Sequence, residues 1–157
     1  MVLLMKKIFP CIIGLGYVGL PLFVSLKKKF KVIGYDISKS RVKELKKYED
    51  RNKEFNRSDL KLNNRSLITS DHIHIKNSNF YIVTVPTPIK KNKLPDLGYI
   101  KSSFNIISKY IKQNDIVFLE STVYPGTTLK ICKEIIHRKK KNINFFIGYS
   151  SERINPG

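Results

Sequence analysis

The sequence predicts an α/β fold in which a doubly wound parallel sheet forms a single domain over residues 1–157. Short apolar runs alternate with helix-length segments in the order β-α-β-α-(β)-β-α-β-α-β, which is typical of such sheets. The first run ends in a glycine-rich turn. The distinctive polar motifs all follow the carboxyl ends of predicted strands, where ligands bind in this fold class.

Each element is predicted from its apolar pattern and its boundary residues. The continuous run Phe80–Val85 indicates a strand buried on both faces. Ser38 and Asp96 are placed to cap helices, and His72 and His74 alternate with isoleucines as in a short extended segment. The other predicted strands are Cys11–Ile13, Lys31–Tyr35, Leu67–Thr69, Ile116–Leu119 and Phe145–Gly148. A further helix is predicted over Tyr17–Lys29, and the last helix begins at Thr127 or Thr128. Tyr48–Ser66 is predicted to be a mobile loop with at most one helical turn.

The turn after the first strand has the pattern Gly-x-Gly-x-x-Gly, formed by Gly14, Gly16 and Gly19. The first glycine permits the tight turn, the second lets a pyrophosphate approach the backbone, and the third lets the helix pack on its strand. Asp36 ends the next strand, where its carboxylate can accept hydrogen bonds from the adenosine ribose. The arrangement predicts a dinucleotide site that favours NAD over NADP.

A membrane or secretory helix is the alternative for this part of the chain. Ile8 to Leu26 carries no charged side chain and has lysines on both sides, so its length is sufficient to span a bilayer. Three glycines and two prolines interrupt it, and no small-residue cleavage site follows. We therefore favour the dinucleotide site and expect no membrane partner.

The formal charge of +18 raises nucleic acid as a partner. However, the chain has 24 Lys, 21 Ile and 12 Asn but no Ala, a composition that AT-rich codons explain, and its lysines are scattered rather than clustered. We expect no specific nucleic-acid partner. Cys11 and Cys132 are predicted to be buried hydrophobic residues, no Cys/His spacing is typical of a metal site, and the chain is of the reduced, cytoplasmic type.

Five motifs lie after strands: G-L-G-Y-V-G, Asp36, V-P-T-P at Val85–Pro88, E-S-T-V-Y-P-G-T-T at Glu120–Thr128, and Y-S-S-E-R-I-N-P-G at Tyr149–Gly157. Each taken singly is compatible with ordinary turn chemistry. Together they resemble the NAD-binding domain of the UDP-glucose/GDP-mannose dehydrogenase family over essentially the whole chain. The resemblance is greatest to the UDP-N-acetylglucosamine 6-dehydrogenases of bacterial capsule, Vi-antigen and O-antigen synthesis.

The resemblance implies oxidation of the C6 alcohol of a UDP-sugar to a carboxylate, with two NAD reduced in succession and a cysteine thioester on the way. By motif, Thr122 would help position the hydrolytic water, Glu152 would aid its activation, and Arg153 and Asn155 would face the nucleotide-sugar. The implied cofactor contacts are Gly14, Gly16, Tyr17, Val18, Gly19, Asp36, Arg41, Val85, Pro86, Thr87 and Thr122.

Two departures from the family pattern matter. Ser151 replaces the usual proline of S-P-E-R, so the loop that aims Glu152 is expected to be less rigid. The family's cysteine nucleophile, central helix and sugar-binding domain correspond to positions beyond Gly157. We therefore expect the chain alone not to turn over.

Several identities of the chain stay open. It is expected to be a truncated enzyme, one half of a split enzyme with a separately encoded C-terminal half, or an inactive nucleotide-binding remnant. Another Rossmann dehydrogenase is disfavoured by the last two motifs. Full-length family members are homo-oligomers, which the resemblance implies for a complete enzyme.

Overall fold

The computed structural model describes residues 7–91, 93–121 and 127–150, the side chains of 127–129 excepted. Its six strands form one parallel sheet in the order β3-β2-β1-β4-β5-β6. The strands are β1 (Pro10–Ile13), β2 (Val32–Tyr35), β3 (Ser66–Thr69), β4 (Phe80–Val83), β5 (Ile116–Leu119) and β6 (Phe146–Tyr149). The strand order reverses between β1 and β4, and the predicted Rossmann-type sheet is confirmed.

Helices cover both faces of this sheet. They are α1 (Gly19–Leu26), α2 (Lys39–Lys46), the single turn α3 (Arg57–Leu60), α4 (Gly98–Tyr110) and α5 (Thr127–Lys139), with a 3-10 helix at His72–Asn77. Successive strand residues point to opposite faces, so the core has two parts. Cys11 and Ile13 of β1 pack with α4 and α5, whereas Ile12 between them packs with α1, α2 and α3.

The capping predictions had mixed outcomes. Ser38 caps α2 as predicted, since its side chain accepts a hydrogen bond from the Arg41 amide at 3.2 Å. The prediction that Asp96 caps α4 was wrong by one residue, because the cap position is Leu97, which packs against the core. The Asp96 carboxylate instead accepts a hydrogen bond from the Gly98 amide at 2.9 Å.

The extended segment predicted around the two histidines was also wrong. His72 and His74 lie in the 3-10 helix. Asp71 caps this helix by accepting from the Ile73 amide, and Ile75 is fully buried beneath it. The 3-10 geometry therefore buries Ile75 at the sheet, which an alternating pattern could not indicate.

Other boundaries differ by a few residues from their predictions. Helix α1 is shorter at both ends, because residues 14–18 form the turn and i→i−3 bonds tighten the chain after Leu26. Strand β4 ends at Val83, which leaves Thr84 and Val85 free to turn beside β1. The stretch Ile8 to Leu26 is divided into a strand, a turn and a helix, and none of the helices in the described parts of the chain has the length and apolar character needed to cross a membrane.

Candidate dinucleotide site

A cavity of about 370 Å³ opens at the carboxyl ends of β1, β2 and β4. The glycine turn forms its floor, and the ends of β2 and β4 form two of its sides. Helices α2 and α4 close the remaining walls. The cavity therefore lies at the point where the strand order reverses, which is where ligands bind in doubly wound sheets.

The three glycines of the turn have distinct surroundings. Gly14 has φ of +96° and donates its amide to the Tyr35 carbonyl at 2.8 Å. A Cβ on Gly19 would overlap the Gly14 carbonyl oxygen and approach Thr84 Oγ1 to 2.5 Å. A Cβ on Gly16 would meet nothing within 4 Å. Gly14 and Gly19 are therefore required by the fold, whereas the space beside Gly16 is open to a ligand.

Three backbone amides after Gly14 have no partner within the described residues. The amides of Gly16, Tyr17 and Val18 donate to no acceptor within the part of the chain that the structure describes. They precede α1, whose amino end carries partial positive charge. Unpaired amides, a helix amino end and an open glycine fit the pyrophosphate of a dinucleotide.

Thr84 braces the turn, although the sequence pattern identified it only as part of a strand. Its hydroxyl is 2.7 Å from the Gly14 carbonyl oxygen and 3.1 Å from the Ile13 carbonyl oxygen, and the residue is buried. The hydroxyl donates to these carbonyls. The glycine turn is thus fixed to the end of β4 as well as to its own strand.

Asp36 lines the cavity at the end of β2 and is held in a defined orientation. One carboxylate oxygen accepts from the Leu15 amide and the other from the Ser38 amide, each at 2.8 Å. A carboxylate has about four acceptor positions, so both oxygens retain capacity for ribose hydroxyls. Asp36 thus lies in the cavity, and its contact with the ribose remains a prediction.

Arg41 also lines the cavity but is 5% exposed, and its guanidinium is engaged by the protein. Its Nε donates to the Leu15 carbonyl at 2.9 Å, Nη1 donates to Glu44 Oε1 at 2.5 Å, and Nη2 lies 2.9 Å from Asp50 Oδ1. Burial alone would raise the pKa of Glu44, but hydrogen bonds from Arg51 and the charge of Arg41 outweigh it and lower that pKa. Arg41 therefore has a structural role in this wall, and its predicted contact with the adenosine remains a prediction.

The other predicted cofactor residues divide into two groups. Tyr17, half exposed, lines the cavity together with Val85 and Pro86. Val18 and Thr87 are partly buried and lie beside those residues without lining the cavity. The predicted catalytic and substrate residues Thr122, Glu152, Arg153 and Asn155 lie outside the described residues.

Residue Ser121, just before that undescribed segment, links two of the motifs. Its buried hydroxyl donates to the Val85 carbonyl at 2.7 Å. The loops after β4 and β5 are thus joined at the second residue of each. This bond supports the expectation that the polar motifs share one rim.

Several residues that line the cavity were not predicted as cofactor contacts from the sequence. Arg51 and Asn52 come from the loop that no motif identified, and Tyr99 and Ser102 come from the first turns of α4. No motif with a recognisable spacing contains these residues, so only the structure shows that they line the cavity. Within the described ranges no group of three or more His, Cys, Asp or Glu side chains could hold a metal ion.

The open glycine turn, the unpaired amides and the oriented Asp36 define a dinucleotide-binding Rossmann domain. The chain belongs to the UDP-glucose/GDP-mannose dehydrogenase family, whose NAD-binding domain matches residues 7–157. NAD is therefore the cofactor class of this domain, as the sequence predicted.

Individual relatives agree with the family match. The chain is 46% identical over 149 residues to a UDP-N-acetyl-D-glucosamine 6-dehydrogenase of Salmonella typhi, which is 93% of this chain and 35% of that protein. It is 42% identical over 156 residues to the protein of that name from Pseudomonas aeruginosa, which is 98% of this chain and 37% of that protein. The chain thus spans about a third of the length of these relatives.

The fold resembles a solved structure of a UDP-D-ManNAc dehydrogenase from Pyrococcus horikoshii. The TM-score is 0.86 at 26% sequence identity, and the match covers 96% of this chain and 37% of that one.

Proposed function

We propose that this chain provides the NAD site of a dehydrogenase that oxidises the C6 alcohol of a UDP-sugar, with UDP-N-acetylglucosamine as the favoured substrate. The observation that carries the proposal is the open cradle at Gly16 beside the oriented carboxylate of Asp36. The names of the relatives at 46% and 42% identity support the choice of sugar. The product would be a uronate for polysaccharide synthesis, and the setting would be the cytoplasm.

Bound NAD would accept a hydride from the sugar alcohol, once for each of two oxidation steps. The residues of this chain would hold and orient it. The amides after Gly14 would bind the pyrophosphate, Asp36 would accept from the ribose hydroxyls, and Val85 with Pro86 would pack against the cofactor. Thr122 and Glu152 would position and activate water, and Arg153 and Asn155 would face the sugar nucleotide.

Residues 1–157 alone are proposed to bind NAD without oxidising the sugar nucleotide. The second oxidation requires a thiolate nucleophile near the nicotinamide. Both cysteines of the sequence are fully buried, Cys11 in β1 and Cys132 in α5. Burial raises the pKa of Cys132 to about 12 and raises that of Cys11 still further. Neither can serve as the nucleophile. The second candidate function is a nucleotide-binding module without catalysis.

Calorimetric titration of the purified chain with NAD tests the binding. We expect saturable binding that Asp36→Ala weakens about tenfold or more, because one or two hydrogen bonds to a charged acceptor are lost. Asp96→Ala is the matched control, since Asp96 also accepts a backbone hydrogen bond but does not line the cavity. A folded chain that fails to bind millimolar NAD would refute the site.

Turnover is tested separately by absorbance of NADH. We expect no production of NADH when the chain is mixed with NAD and UDP-N-acetylglucosamine. Production of NADH by the isolated chain would overturn the proposal that it binds without oxidising.

A further inference from the structure

Two arginines line the cavity that contains Asp36, the expected partner of the adenosine ribose. Arg41 and Arg51 both lie in this lining. An arginine in this position is the usual partner of the 2′-phosphate of NADP. By residue type alone, therefore, this site contains the cations that NADP requires.

Two carboxylates behind the wall already hold these arginines. Glu44 is bonded by Arg41 and by the backbone and side chain of Arg51, with Arg51 Nη2 at 2.5 Å from Oε2. Asp50, whose side chain has no exposed surface, is paired with Arg41 Nη2 at 2.9 Å. Arg41 Nε and Nη1 donate hydrogen bonds to the Leu15 carbonyl and to Glu44, whereas Nη2 is held by the ion pair with Asp50 and donates no hydrogen bond within the described residues.

The charge around Asp36 and these arginines is opposite to that of the chain. Three carboxylates, Asp36, Glu44 and Asp50, stand with two guanidiniums, so the five groups sum to −1, whereas the chain carries +18. No lysine lines the cavity within the part of the chain that is described. A 2′-phosphate would add about −1.5 to −2 charges here.

We infer that Glu44 and Asp50 are specificity-determining residues, which exclude NADP by neutralising Arg41 and Arg51. This inference rests on the proposed function, since it presumes that the cavity binds NAD. The preference for NAD would then come from Asp36, which contacts the ribose, and also from Glu44 and Asp50, which do not touch the cofactor. Without them, Arg51 in particular would be free to turn toward a phosphate, because 53% of its side chain is exposed.

The test compares the dissociation constants of NAD and NADP for the purified chain and its variants. Glu44→Gln should lower the ratio Kd(NADP)/Kd(NAD) roughly fivefold or more, because it releases a guanidinium near the phosphate. Adding Arg51→Ala to this variant should remove the gain. Glu49→Gln is the matched control, because Glu49 is 55% exposed and pairs only loosely with Arg57 at 3.7 Å.

Ionic strength separates a charge effect from a structural one. The gain should shrink as salt rises from about 0.05 M to 0.5 M, since screening weakens charge interactions of this range. Should Glu44→Gln unfold, Asp50→Asn offers the independent variant, because it removes the negative charge paired with Arg41 while keeping an acceptor oxygen. Unfolding of each variant is checked by circular dichroism.

The outcomes distinguish this inference from the proposed function. A chain that binds no NAD overturns both. A chain that binds NAD but keeps its NADP ratio in Glu44→Gln and in Asp50→Asn overturns this inference alone. A gain that persists when Arg51 is removed and is insensitive to salt also contradicts it.

Discussion

Replacement of Gly16 by alanine should separate the stability of the fold from the affinity for NAD. The added methyl group would meet no protein atom within 4 Å, and Gly16 does not have the left-handed backbone that disfavours alanine. The folded state should therefore tolerate it. Because alanine restricts the unfolded chain, the free energy of unfolding should stay equal or rise by about 0.4–1 kcal/mol.

The same methyl group would occupy the space through which a pyrophosphate approaches the amides of Gly16 and Tyr17. One charge-assisted hydrogen bond contributes about 1.5–3 kcal/mol. Losing one such bond corresponds to a decrease in NAD affinity of roughly 10- to 100-fold. Calorimetric titration with NAD measures the affinity. Urea unfolding of the same preparation measures the stability.

Gly19→Ala provides the contrast within the same motif. Its methyl group would overlap the Gly14 carbonyl and press on Thr84. We expect a loss of about 3 kcal/mol or more in unfolding free energy, since neither neighbour can move without breaking β1 from β4. Unchanged NAD affinity in Gly16→Ala at unchanged stability would refute the reasoning, because it would mean that the phosphates do not approach this turn.

Two further predictions concern contacts that support the cavity. Thr84→Val should lower the unfolding free energy by about 1–2 kcal/mol, since the Gly14 carbonyl loses its buried donor; an unchanged urea midpoint would show that the hydroxyl does not brace the turn. Glu44 has a pKa below its ordinary value of 4.5 in the fold, so its contribution is full above about pH 4.5 and is lost as the pH falls through the folded-state pKa. The destabilisation caused by Glu44→Gln should accordingly be smaller near pH 3 than at pH 7 in urea titrations, and an equal loss at both pH values would contradict the charge contribution.

The sheet could be predicted because each central strand is a short apolar run bounded by clear breakers. In a doubly wound sheet such runs are buried on both faces, so composition alone marks them. The glycine motif and Asp36 predicted the position of the cavity, because the spacing of these residues has a direct physical meaning. The 3-10 helix was not predicted from the sequence, because a single buried isoleucine among polar residues has no distinctive period.

The loop at residues 48–66 shows why the rest of the site could not be predicted. Its short helix begins with a capping box between Asn56 and Asp59, a pattern too short to stand out in a polar stretch. Arg51 lines the cavity and is bonded to Glu44 of α2, seven positions earlier in the chain. Such contacts depend on the path of the loop, and nothing in their spacing indicates them.

The bracing of the glycine turn has a consequence for the order of folding. The motif itself spans a few neighbouring residues, but the hydroxyl that secures Gly14 is 70 positions away, in Thr84. Strand β1 likewise pairs with β4 only after the chain through Val83 is available. The glycine turn is therefore synthesised early but is not secured for binding until the second half of the sheet has formed, because contacts so distant in sequence form late. Acquisition of nucleotide affinity during refolding should therefore report the docking of the two halves rather than formation of the turn.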